Sequence, residues 1–372
     1  MKIAQVAPLF ESVPPKLYGG TERIVFHLTE ELVERGHDVT LYASGDSLTS
    51  ARLIAPCDSG LRLDSYYTDP VAYHILMLGQ LSRDAHMYDI IHFHTVFLHY
   101  PLLRRLSTAA VTTLHGRLDL PDLHPVHQEF AELEVISISD SQREPLPHLN
   151  WQATVYHGLS KDQFTFEPRA EDYLLFLGRI SPEKRPDRAI EIAQRAGIKL
   201  KMAAKVDAAD KQYFEQKIKP LLNHPLIEFL GEIDETRKRP LLGRARALLF
   251  PIDWPEPFGL VMIEALACGT PVIAFRCGSV PEIIEHGISG YIVDNINQAT
   301  DAVRRIGEID RKTCRQRFEA RFSVETMTDA YLNVYQEVIT RTRSSNIYDV
   351  IGEQQIWKTK QNRGGATGIA AS

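Results

Sequence analysis

Short β-branched and aliphatic runs alternate with helix-length amphipathic segments along almost the whole chain, and no other feature restricts the fold as much. A parallel strand pair needs a crossover connection, which a helix supplies, so this alternation specifies parallel sheets built from βαβ units. In the first half the spacing predicts strands at 2–7, 38–43, 89–93, 111–114, 135–138 and 153–156. A helix expected at 21–35 carries Ile24, Val25, Leu28 and Leu32 on one face and is closed by Gly36. After a polar, irregular stretch at 157–171 the pattern starts again, with a strand at Tyr173–Leu177 and a helix around 185–196. Further strands fit 198–203, 226–229, 247–250, 271–274 and 290–293. The expectation is two consecutive Rossmann-like α/β domains, 1–165 and 172–322, with a hinge near 166–171. A last helix at 323–342 carries Met327, Tyr331, Val334 and Val338 on one side, and the polar segment 343–372 reads as a flexible tail.

Bulk properties exclude several classes. A net charge of −6 gives no reason to expect nucleic acid as a partner, although a local basic patch could still meet an anionic membrane face. Cys57, Cys268, Cys277 and Cys314 show no paired metal spacing and read as reduced thiols of a cytoplasmic protein. No stretch reaches the roughly 18 apolar residues that span a bilayer. The N-terminal run ends too soon, at Glu11, for a signal peptide and reads as the first strand.

The segment 253–273 is the most informative about chemistry. Glu256 and Glu264 stand eight positions apart across a Pro/Gly turn that opens a helix. Flanking prolines keep Glu256 out of that helix, which is expected to start at Phe258 and Gly259 and run to Cys268, before Gly269 and Pro271. The free amides at its start form an anion site. A glutamate near a helix start is favoured by the macrodipole alone, by about 0.3–1 kcal/mol. That does not account for two Pro, two Gly and two Glu gathered around one helix start.

Arg179 and Lys184 lie in the turn Gly178-Arg179-Ile180-Ser181-Pro182-Glu183-Lys184, at the C-terminal end of the second domain's first strand, where ligands bind in open α/β sheets. Two cations facing the amides at 258–260 would neutralise a diphosphate, each contributing about 3–4 kcal/mol to stabilising a leaving group. The plainer alternative is an exposed turn with solvated charges. Gly19 and Gly20 follow the first strand, just before Thr21 as helix cap, and would let backbone amides approach an anion. They do not form the dinucleotide fingerprint. His92 and His94 flank Phe93 at a strand end; with His99 and His115 they could gather around a metal, but no carboxylate spacing supports one. The absence of any Asp-x-Asp also removes the usual carboxylate carrier of a hard cation. Ser139-Asp140-Ser141 reads as a helix cap, and Asp119 and Asp122 are acceptor-side candidates only because they follow His115.

Taken together, these residues resemble the retaining glycosyltransferases of the two-domain GT-B fold, in particular family 4 (glycosyl transferases group 1). The likeness extends over about residues 1–340 and is strongest at 173–185 and 254–290. It implies an α/β architecture of two Rossmann-like domains facing a central cleft, with the last helix crossing back onto the first domain. A nucleoside-diphosphate sugar, UDP- or GDP-linked, would be the donor substrate, with no metal and no other cofactor, and the acceptor is unidentified. The resemblance assigns Glu264 to the ribose hydroxyls, Glu256 to the transferred hexose, and Arg179 and Lys184 to the diphosphate. Phe258, Gly259 and Leu260 would offer amides, Gly19 and Gly20 would lie by the donor phosphate and acceptor, and His115, with His94 second, would touch the donor sugar. His157-Gly158 departs from the Asn-Gly of many relatives. The implied location is cytoplasmic, compatible with peripheral contact at the inner membrane face. A catalytically degenerate sugar-nucleotide binder and a GT-B epimerase are the alternatives on the same scaffold.

Overall fold

The computed structural model describes residues 1–364 except 17, 18, 63 and 65, with side chains as far as residue 344. Within them, two parallel sheets follow one another along the chain. The first contains β1 (Lys2–Val6), β2 (Asp38–Tyr42), β3 (Arg52–Ile54), β4 (Ile90–Phe93), β5 (Ala109–Thr113), β6 (Val135–Ser137) and β7 (Trp151–Thr154), in the order β3-β2-β1-β4-β5-β6-β7. The second contains β8 (Tyr173–Arg179), β9 (Lys199–Lys205), β10 (Ile227–Gly231), β11 (Ala247–Phe250), β12 (Val272–Phe275) and β13 (Gly290–Val293), ordered β10-β9-β8-β11-β12-β13. Each sheet reverses its winding once, between β1 and β4 and between β8 and β11. At such a reversal the connecting helices leave on opposite faces and open a crevice at the C-terminal strand ends.

Helices on both faces explain the composition of the strands. β11 reads Ala-Leu-Leu-Phe and β12 Val-Ile-Ala-Phe, all buried, because neither face of a covered parallel sheet meets water. The first helix, Gly20–Glu34, buries Ile24, Val25, Leu28 and Leu32 as its periodicity requires. Its cap differs from expectation: Gly19 occupies the N-cap, so Thr21 lies inside the first turn. β7 falls two residues earlier than the expected 153–156. Among the elements not anticipated are β3 and the helix Pro70–Asp84. β3 has three residues, too few to display a period. The helix Pro70–Asp84 leaves Val71, Ile75 and Leu76 exposed, which blurs its apolar face.

The final helix runs from Val324 to Gly364, beyond the expected end at 342 and into the segment read as a tail. Residues 365–372 of that segment lie outside the described residues. The helix lies against the first sheet: Tyr331 Oη is 3.1 Å from Thr113 Oγ1, and Arg341 and Arg343 pair with Glu134 and Asp89. Its entry is tight, since a Cβ on Gly158 would stand 2.3 Å from the Ser323 carbonyl oxygen. No helix among the described residues is long and apolar enough to cross a membrane.

Candidate active site

The C-terminal strand ends of the two sheets face one another across a cleft of about 310 Å³. Gly19, Gly20, His115, Arg179, Lys184, Glu256, Phe258, Gly259, Leu260 and Glu264 all line it. His94 does not. Its ring is buried behind His115, and both its nitrogens are occupied, Nδ1 by His115 at 2.9 Å and Nε2 by Gln5 at 2.8 Å. The expectation of direct ligand contact by His94 is corrected accordingly, because no ring nitrogen is left for it.

The Glu256 turn is held from below. Ser279 N donates to the Glu256 carbonyl at 3.0 Å, Ser279 Oγ to that of Phe258 at 2.8 Å, and Ser139 Oγ to that of Pro257 at 2.6 Å. The Ser139 bond crosses from the first domain, so the expected cap residue also spans the cleft; it accepts from Gln142 N at 3.1 Å as well. Gly259 has φ +82°, and the helix begins at Leu260 and ends at Ala267, shorter at both ends than expected. A side chain at 259 would place its Cβ 2.8 Å from Met262 Cε and 3.1 Å from Phe250 Cζ. Met262 to Ala267 are buried throughout, so the helix is a core element rather than an amphipathic one. Among the described residues no backbone acceptor takes the amides of Leu260 and Val261, which leaves the anion site available. A Cβ on Gly20 would stand 3.5 Å from Leu260 Cδ1, so the glycine loop of the first domain reaches this helix start.

A bond from Asp253 N to the Glu183 carbonyl, 2.8 Å, joins the Glu256 turn to the Arg179–Lys184 turn. Lys184 pairs with Glu256 and lies 4.9 Å from the Trp254 ring centre. Arg179 donates to Glu183 at 2.7 Å. Both residues of that pair are partly exposed, and such pairs are worth about 0–1 kcal/mol, little enough for an anionic ligand to displace.

Glu264 is 2% exposed and lies beside Arg23 and Lys238. Burial alone would push its carboxyl up; the Lys238 ammonium and the Arg23 guanidinium outweigh that and hold it below the usual carboxylate range.

Behind His115 runs a chain of buried polar groups. Gln5 accepts from His94 through Oε1 and donates through Nε2 to Tyr335 Oη at 3.0 Å; Tyr335 Oη reaches His92 Nδ1 at 2.6 Å, and His92 Nε2 reaches Thr113 Oγ1 at 2.7 Å. This amide orientation puts the His94 proton on Nε2, so His94 Nδ1 accepts from His115 Nε2–H. Burial holds His92, His94 and His157 far below the usual histidine range and His115 at about 3, so the imidazoles are neutral. His115 Nδ1 has no partner among the described residues, and the His115 ring stacks on His157, which also lines the cleft. His99 is spent on Thr95 and Thr112, and no cluster of three metal-ligating side chains occurs among the described residues. Asp119 pairs with Arg117, and neither Asp119 nor Asp122 is part of the cleft lining.

Sequence reasoning missed Arg23, Glu235 and Lys238 in the cleft and Gly278 and Ser279 beneath it. Arg23 carried a signal: a cation in the first turns of a helix faces the positive end of the dipole, an unfavourable place unless something else holds it.

Residues 160–319 match the family described as Glycosyl transferases group 1, and residues 18–143 match Glycosyltransferase Family 4. An uncharacterized glycosyltransferase of Methanocaldococcus jannaschii is 26% identical over 343 residues, covering 78% of this chain and 84% of that protein. Among solved structures, sucrose-phosphate synthase of Thermosynechococcus elongatus aligns with a TM-score of 0.73 at 19% identity, over 91% of this chain and 99% of that one. Anabaena Alr3699/HepE, solved in complex with UDP and glucose, aligns with a TM-score of 0.69 at 17% identity, over 91% and 100%.

Proposed function

The chain belongs to the glycosyl transferases group 1 family, and from that premise we propose that this glycosyltransferase moves a hexose from a nucleoside-diphosphate sugar to an acceptor with retention of anomeric configuration. One observation carries the reading: Arg179, Lys184, Glu256, Glu264 and the free amides of Leu260 and Val261 meet in one cleft. Cations and amides suit a diphosphate, and carboxylates suit sugar hydroxyls. UDP is the first nucleotide to test, since a structural neighbour was solved with UDP and glucose, and GDP is the second.

In this reading the first domain, 1–165, selects the acceptor and the second, 172–322, holds the donor. The bond from the anomeric carbon to the phosphate oxygen breaks as the sugar gains oxocarbenium character. Arg179, Lys184 and the helix amides receive the charge that grows on the leaving diphosphate, work that a metal ion does elsewhere. The acceptor oxygen attacks the same face and gives its proton to the departing phosphate oxygen. Glu256, already paired with Lys184, orients the hexose rather than attacking it. No metal and no further cofactor enter this scheme, and the protein acts in the cytoplasm, with peripheral contact at a membrane face where the acceptor is a lipid.

The test is the anomer formed from an α-linked UDP- or GDP-hexose, read by ¹H NMR of the transfer product or of the sugar first released by slow hydrolysis. An α product supports the reading, and a β product overturns retention. Donor binding without turnover to any acceptor or water would point instead to a degenerate binder.

A further inference from the structure

Arg23 belongs to the first domain yet spends its guanidinium on the second. Its Nη1 donates to Glu264 Oε1 at 2.5 Å and its Nη2 to Glu235 Oε1 at 2.6 Å. Lys238 Nζ reaches the same two oxygens, at 2.9 and 2.6 Å. Two cations and two carboxylates therefore form a closed cluster in the cleft, and only Arg23 comes from across it. Glu264 is buried, and a buried carboxylate needs counter-charge. If the first domain swings away, Arg23 leaves with it, and Glu235 and Glu264 must share the Lys238 ammonium. A further cation, Arg239, stands 3.7 Å from the far oxygen of Glu235. Arg23 and Lys238 both use Oε1 of Glu264, while Oε2 makes no hydrogen bond among the described residues.

We propose that Arg23 is a positioning residue that acts across the cleft: it fixes the Glu264 carboxylate with Oε2 free for a donor's vicinal hydroxyls, and it completes the charge balance there only when the domains are closed. Nucleotide binding and domain closure are then linked, each favouring the other by the same factor. The fork geometry matters. Two Nη groups reach two carboxylates at once, which a lysine cannot do, so Arg23→Lys restores one contact only. The inference rests on the donor-site reading for the identity of the ligand, not for the existence of the clasp.

The experiment pairs calorimetric titration with UDP and GDP against small-angle X-ray scattering of the ligand-free protein. It uses the full chain and the variants Arg23→Ala, Arg23→Lys and Arg35→Ala. Arg35 caps the C-terminal end of the same helix and pairs with Asp329 of the final helix, away from the cleft, so it controls for loss of an ion pair as such. Arg23→Ala is expected to weaken nucleotide binding about 5–150-fold, the usual range of coupling between sites. Its ligand-free radius of gyration should exceed wild type, Arg23→Lys should fall between, and Arg35→Ala should match wild type in both. Wild-type values of either quantity in Arg23→Ala overturn the clasp. If neither nucleotide binds wild type, the donor-site reading fails separately, and scattering alone decides: expansion in Arg23→Ala upholds the clasp and an unchanged radius removes it.

Discussion

Gly278 lies so close beneath Glu256 that a Cβ added to it would stand 2.4 Å from the Glu256 amide nitrogen and 2.5 Å from its carbonyl oxygen. Gly278 also has φ +52°, so two independent constraints exclude a side chain there. The turn that presents Glu256 is shaped by a residue more than twenty positions further on.

Gly278→Ala should therefore disturb both stability and the site. Gly287 offers a control, because it has φ +79° and, its chain neighbours aside, no heavy atom of the described residues lies within 4 Å of the added Cβ. Gly287→Ala should cost about 1–2 kcal/mol from backbone conformation alone and leave nucleotide binding intact. Gly278→Ala should cost more and weaken binding as well. Urea denaturation and nucleotide titration of the two variants check this; equal stability with unchanged binding would contradict it.

Tyr335 connects the final helix to the first sheet through a single hydroxyl shared by Gln5 and His92. Tyr335→Phe removes that hydroxyl and strands two buried groups, which should cost about 1–3 kcal/mol. The loss should appear in the urea midpoint. With the relay broken, ¹⁵N shifts of His115 should move away from the Nε2-protonated tautomer. Wild-type shifts in this variant would show that the relay does not govern His115.

Acid should destabilise the fold once the pH drops below about 6.5, against the opposing trend of Glu22, whose carboxyl is pushed up to about 7 by burial. Burial lowers His27 to about 4 and His99 to about 3. In the unfolded chain both regain values near 6.5. The unfolded state then binds more protons between those limits, so this stability is complete above about pH 6.5 and declines as pH falls toward the folded values. Each residue approaches a slope of about 1.4 kcal/mol per pH unit. Urea midpoints at pH 7 and pH 5 test it, and equal midpoints would contradict it.

Arg185 holds a left-handed backbone, φ +50° and ψ +53°, immediately after Lys184. Its side chain pairs with Asp187 and Asp253, so a single variant would mix two effects. Arg185→Gly and Arg185→Ala lose the same ion pairs, and the glycine variant should be the more stable by about 1 kcal/mol, because only it enters this region without strain. A more stable alanine variant would refute the strain.

Much of this was legible in the sequence because the controlling interactions are local. Strand and helix alternation gave both sheets, and residues of the string around Glu256 line the cleft, since prolines and glycines act on their own neighbourhood. What escaped depends on contacts between distant segments. Gly278 looks like any turn glycine until Glu256 is seen above it, and Arg23 looks like a solvated helix charge until Glu264 is seen across the cleft. His94 failed in the opposite sense: a histidine at a strand end suggested ligand contact, but Gln5 and His115 consume its nitrogens.

The most direct measurement is thermal stabilisation by UDP, GDP and ADP, with Arg179→Ala as control. A nucleotide at one hundred times its dissociation constant should add about 2.7 kcal/mol of stability. The donor-site account expects a rise in melting temperature with one of the three, lost in Arg179→Ala. No rise with any of them, or an equal rise in the variant, would contradict it.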